Sequence, residues 1–132
     1  MHRILPTLLL PALMLLAAAH AGAEAAQPPT DEATLVRLGP GEVDDAEVRT
    51  DGRVRFRNEV EAPTRLVFER GAAEALACRT DGRRVIRSRP GQYVIAAGAE
   101  LACTVREGSY RFATYTQQDG AIASAEARLR IR

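Results

Sequence analysis

From Glu24 onward the chain has no histidine, methionine, tryptophan or lysine; His2, His20, Met1 and Met14 all lie upstream. Each absence removes a class of chemistry. Without histidine, neither a Ser-His-Asp nor a Cys-His nucleophilic arrangement can be assembled. Without lysine there is no phosphate-cradling Gly-rich loop ending in Lys. All 18 basic residues are arginines, and those after Arg3 match the 17 acidic residues, so the net charge of this part is close to zero. Bulk nucleic-acid binding needs a sustained excess of positive charge, which is missing here. Aromatics are sparse, with three Tyr and three Phe.

Residues 1–23 are set apart by pattern. Arg3 gives a short positive start, and Ile4 to Ala19 is apolar apart from Thr7. Two A-x-A sites follow, Ala19-His20-Ala21 and Ala21-Gly22-Ala23. This is the pattern of a cleaved secretory signal peptide. The apolar run, about 16 residues, is shorter than the roughly 20 of a spanning helix, so no membrane span is expected after cleavage. Residues 24–33, EAAQPPTDEA, read as a flexible lead-in. The expected domain is 34–132, in a periplasmic or secreted protein.

Only two cysteines are present, Cys78 and Cys103. In an oxidising compartment an even pair reads as one disulfide. Closing a loop of about 26 residues would stabilise the fold by ~3–3.5 kcal/mol by chain entropy. The alternative is a pair of thiols used for redox chemistry or metal handling, although two thiolates with no His or third Cys make a poor metal site.

What is present is period-two alternation. Val54 and Phe56 alternate with Arg53, Arg55 and Arg57. Leu101, Cys103 and Val105 alternate with Glu100, Ala102, Thr104 and Arg106. Tyr110, Phe112 and Thr114 alternate with Arg111 and Ala113, and Ala125 to Ile131 alternates to the end. Such runs are strands with one dry and one wet face. Further strands are expected at Thr34–Leu38, Leu66–Phe68 and Gln92–Ile95, with an edge strand or irregular segment in Glu42–Thr50 and a short helical turn in Gly71–Ala77. Turn signals stand at Gly39-Pro40-Gly41, Asp51-Gly52, Pro90-Gly91, Glu107-Gly108-Ser109 and Gln117–Gly120. Seven or eight short strands with no competing helical pattern predict an all-β, antiparallel Greek-key β-sandwich.

Two arginine groups are candidate anion sites. Arg53, Arg55 and Arg57 are read as a solvated sheet face paired with acids rather than as a binding row. Arg79, Arg83, Arg84, Arg87 and Arg89, set against Asp81, form the best candidate basic patch for an anion or envelope partner, or else an exposed loop anchored at Cys78. Acid pairs such as Asp44-Asp45 and Glu59/Glu61 lack any sign of a pocket, and Glu42–Asp51 lacks a calcium-loop pattern.

Val54-Arg55-Phe56-Arg57-Asn58, Leu66-Val67-Phe68 and Gly108-Ser109-Tyr110-Arg111-Phe112 together make the chain from about Thr34 to Arg132 resemble the small periplasmic cupredoxins. The resemblance implies a cupredoxin-like sandwich. It also implies where copper ligands would stand: a His after the Asn-bearing turn, then a Cys, a second His and a Met after G-x-Y-x-F. Those positions fall at Thr64 and near Thr114, Gln117 and Gly120. Copper of this type requires imidazole and thiolate donors, so no cofactor is expected. The resulting expectation is a metal-free, non-catalytic binding or structural module of the cell envelope, its working surface either the Arg79–Arg89 loop or the loop end at Gln117–Gly120.

Overall fold

Alternating apolar and charged residues fold here into ten strands, described by a computed structural model over residues 33–49 and 51–132. They are β1 (Thr34–Leu38), β2 (Ala46–Val48), β3 (Arg53–Asn58), β4 (Thr64–Phe68), β5 (Leu76–Arg79), β6 (Val85–Arg89), β7 (Gln92–Ile95), β8 (Glu100–Val105), β9 (Gly108–Gln118) and β10 (Ala121–Ile131). One sheet has four strands in the order β1-β3-β8-β5; the other has six, β2-β10-β9-β4-β7-β6. The signal peptide expected over 1–23, and the lead-in up to Glu32, lie outside the described residues. Among the described residues no helix is long and apolar enough to cross a membrane.

The all-β sandwich expected from the alternation is therefore found. Most pairings are antiparallel, and two are parallel: β1 with β3, and β2 with β10. The chain moves from the edge of one sheet to the edge of the other at the Gly39-Pro40-Gly41 break, where Gly39 and Glu42 bridge and Gly41 takes a positive φ of 67°. The strands beyond the expected seven or eight are β5 and β6. The Ala-rich helical turn is real but short, Ala73–Ala75, and gives way directly to β5. Part of the expected Arg79–Arg89 loop is strand β6, in which only Val85 is buried. Both strands are sheet edges; in β6 Arg87 and Arg89 blunt the open side and hide the alternation, while β5 has only four residues, none of them fully buried.

The inward faces meet around three rings. Phe56 on β3 lies 5.7 Å from both Phe68 on β4 and Phe112 on β9, edge-on in each case. Such contacts contribute about 0.5–1.5 kcal/mol each beyond area burial. Leu38, Leu66, Ile95, Leu101 and Leu129 are fully buried around them. Tyr110 is only half-buried; its hydroxyl donates to the carbonyl oxygens of Arg106 (2.9 Å) and Glu107 (3.2 Å), closing the turn into β9. Gly52 is required by close approach: its φ is +66°, and an added Cβ would stand 2.1 Å from the Val105 carbonyl oxygen.

On the outer face of the four-stranded sheet, Glu100 on β8 bridges two arginines of β3. Arg55 Nη1 donates to its Oε1 at 3.1 Å, and Arg57 Nε to its Oε2 at 2.6 Å. The Arg57 hydrogen bond, helped by the Arg55 charge against partial burial, holds the Glu100 carboxyl below its ordinary 4.5. Arg55 and Arg57 are thus paired sheet-face residues, as expected.

Candidate functional site

At the end of the sandwich where the resemblance places metal ligands, the structure puts a buried polar network. Asn58 terminates β3 and is completely buried. Its side-chain amide donates to the carbonyl oxygens of Ala62 (2.8 Å) and Ile95 (2.9 Å). Its Oδ1 accepts from the Val60 N–H (2.9 Å) and the Thr64 hydroxyl (3.0 Å). Thr64 and Thr116 are register partners on β4 and β9, and their hydroxyl oxygens are 2.9 Å apart. With the Thr64 proton directed to Asn58, the Thr116 hydroxyl is the donor of that pair. Each hydrogen-bonding position of the Asn58 side chain is used, as burial demands.

Strand register decides which side chains meet at that end, and one expectation there is corrected. Thr64 meets Thr116, whereas Thr114 sits one pair further in, opposite Leu66. Gln117–Gly120 is not a polar loop: Gln117 and Gln118 continue β9, and a two-residue Asp119-Gly120 turn leads straight into β10. Both turn residues have positive φ, 49° and 81°, the requirement of a tight type I′ hairpin. Four positions that would carry ligands are thus two buried threonines, an exposed strand glutamine and a turn glycine. Hydroxyl and amide oxygens are poor donors for a copper site of this kind, and the Thr64 hydroxyl is already committed to Asn58.

The five arginines are spread over both sheets. Arg79 ends β5 in one sheet, Arg87 and Arg89 lie on β6 in the other, and Arg83 and Arg84 occupy the connecting turn. Asp81 organises that turn, its Oδ1 accepting from the backbone N–H groups of Arg83 (2.8 Å), Arg84 (2.8 Å) and Val85 (2.9 Å). These bonds, Val85 first, hold its carboxyl below the ordinary value. The Arg84 guanidinium donates to the Ala97 carbonyl at 2.9 Å. Cys78 and Cys103 form a disulfide between directly opposed residues of β5 and β8, so it ties an edge strand to its own sheet. Arg87 and Cys78 line a cleft of about 360 Å³ with Tyr93, Glu74 and Thr80.

A larger concavity lies elsewhere, on the outer face of the six-stranded sheet. It is an open groove of about 530 Å³. Cross-strand register sets one row of that face: Ile86 opposite Val94, Val94 opposite Arg65, and Arg65 opposite Tyr115. Ile122 on β10, opposite Gln117, continues the face toward the hairpin tip. Ile86, Tyr115 and Ile122 are the large exposed hydrophobic residues among those described, at 43%, 43% and 72% exposure, and all three are on this face. Residues lining the groove include Arg65, Val67, Val94, Tyr115 and Ile122, and none of its lining is acidic. Sequence reasoning looked to loops and missed the groove. The available signal was parity: Val67, Val94, Tyr115 and Ile122 occupy outward positions where polar residues are the rule.

Among the described residues no cluster of three or more His, Cys, Asp or Glu side chains forms a metal cage. Compared with protein-family models, with curated proteins and with solved structures, the chain has no match.

Proposed function

We propose that the chain is an exported, cupredoxin-like binding module of the cell envelope, without metal, that meets its partner on the outer face of the six-stranded sheet. The observation that carries this reading is the clustering of exposed apolar residues on that face. It is supported by the Asn58–Thr64–Thr116 network, which commits the neighbouring polar groups to structure. A concave, mostly apolar surface with a few polar groups is the usual form of a binding site.

Capture from an envelope extract separates the two surfaces. Ile122→Asp is expected to abolish capture while Arg83→Glu/Arg84→Glu retains it; the opposite pattern moves the site to the arginine turn. Adding Cu(II) to the purified protein is expected to give no intense visible band, and such a band would end the metal-free reading. The thiol alternative at Cys78 and Cys103 has less support, because the bond joins adjacent strands of one sheet and Cys103 is buried. Thiol titration of the native protein is expected to find no free thiol before reduction and two after it.

A further inference from the structure

We propose that the groove on the six-stranded sheet binds a small monoanionic amphiphile, a carboxylate with an apolar body, its head on Arg65 and its body across Tyr115 and Ile122. The inference rests on that sheet face being the binding surface and adds the chemistry of the ligand. Arg65 is exposed and makes no ion pair or hydrogen bond among the described residues. Its cross-strand neighbours are Val94 and Tyr115. This contrasts with Arg55 and Arg57 on the outward face of β3, which share Glu100. A guanidinium without a counter-charge, in a groove with no acidic lining, is complementary to a single anion.

The apolar half is set by register. From Arg65 the face runs to Tyr115 on the next strand and on to Ile122, one strand further and two residues along. With strands about 4.8 Å apart and about 3.4 Å per residue, that path is roughly 12 Å, the length of a short acyl chain rather than of a folded partner. The volume of about 530 Å³ falls in the range of small-molecule sites.

Two other occupants fit worse. An extended peptide gains affinity by pairing with an open strand edge, but β4 at Arg65 is flanked by β7 and β9, and the nearest open edge, that of β10 outside Leu129–Ile131, lies two strands away. A second copy, packed face to face about a two-fold axis, would set Arg65 against a groove that again offers no acid.

The probe is decanoate at monomeric concentration, titrated into the oxidised protein by calorimetry and by tyrosine emission, which no tryptophan obscures. Acetate supplies the head without the body; decyltrimethylammonium supplies the body with the opposite charge. Decanoate is expected to bind one to one, and both controls to bind at least about tenfold more weakly. Arg65→Gln is expected to weaken decanoate about tenfold, the loss of one charge-assisted hydrogen bond. Tyr115→Ala and Ile122→Ser are each expected to weaken it several-fold, and Arg87→Gln to leave it unchanged. All these side chains are exposed or outside the core, and an unaltered thermal transition checks that each variant is folded.

Equal binding of decanoate and decyltrimethylammonium, or unchanged affinity in Arg65→Gln, overturns the proposal. So does binding to phosphatidylglycerol vesicles with none to monomeric decanoate, which would make the face a membrane-docking surface. Loss of decanoate binding alongside retained, Ile122-dependent capture of a partner rejects the ligand class and leaves the surface assignment standing.

Discussion

Arg55 and Arg57 project from β3 on the outside of the four-stranded sheet, and Arg65 projects from β4 on the outside of the six-stranded one. The first two meet Glu100 across the strand boundary. Arg65 meets Val94 and Tyr115. On the four-stranded face these two charges are answered within the sheet, and none of the large exposed apolar residues lies on it. On the six-stranded face Arg65 stands without an ion pair among the described residues, within an apolar field. Similar alternating strands thus give a cross-strand ion-paired row on one side and an exposed apolar groove around a lone arginine on the other. The difference lies in cross-strand neighbours, not in the composition of any single strand.

The comparison can be broken most forcefully by loosening the four-stranded sheet. Replacing Cys78 and Cys103 with Ser is expected to lower unfolding free energy by about 3 kcal/mol, measured by chemical denaturation. If the two faces are independent, decanoate affinity of the folded variant stays unchanged. A smaller loss is expected from Asn58→Ala, about 2–3 kcal/mol, because it strands the buried partners of the Asn58 side chain. Here binding is expected to weaken as well, since Thr116 belongs both to the network and to the groove lining.

Glu100→Gln tests whether the ion-paired row matters. The folded carboxyl titrates below its ordinary 4.5. Its contribution is therefore present above the unfolded value and is lost as pH falls through the folded one. The variant is expected to lose about 0.5–1 kcal/mol at neutral pH and to show a shallower acid limb below about pH 4.5. The smallest stability effect is expected for Arg65→Gln, within about 0.5 kcal/mol of the parent, because this arginine supports nothing in the fold. A large loss would show that Arg65 serves the sheet, and the contrast between the two faces would disappear.

The sequence exposes the middle of each sheet better than its margins. Val54 and Phe56 on β3, Tyr93 and Ile95 on β7, and Leu101, Cys103 and Val105 on β8 alternate cleanly because each strand buries one full face. β5 and β6 escape the same reading. They are edges, and β6 buries only Val85 among its residues. The extension of β9 through Gln118 and the start of β10 at Ala121 were also illegible, because residues 117–122 are all exposed and carry no inward marker. Asn58 and Thr64 stand at marked positions of the sequence, but their coupling to Thr116 depends on β4 pairing with β9 across 52 residues. The groove was hidden for the same reason. Arg65, Val94, Tyr115 and Ile122 come from four strands, and only register makes them neighbours.

The parallel pairing of β2 with β10 bears on the order in which the molecule assembles. β9 and β10 are joined by two residues and pair along their whole length, so closing that hairpin costs little chain entropy. β2 has to find a partner far away in the chain; the Asp45 carboxylate that accepts the Arg128 N–H beside this pairing is 83 residues from it. Contacts of such separation form only after intervening segments are ordered. The hairpin is then the natural nucleus and β2 a latch added last. In hydrogen exchange, the amides of Ala46–Val48 are expected to open first, and those along β9 and β10 to hold until the whole domain unfolds.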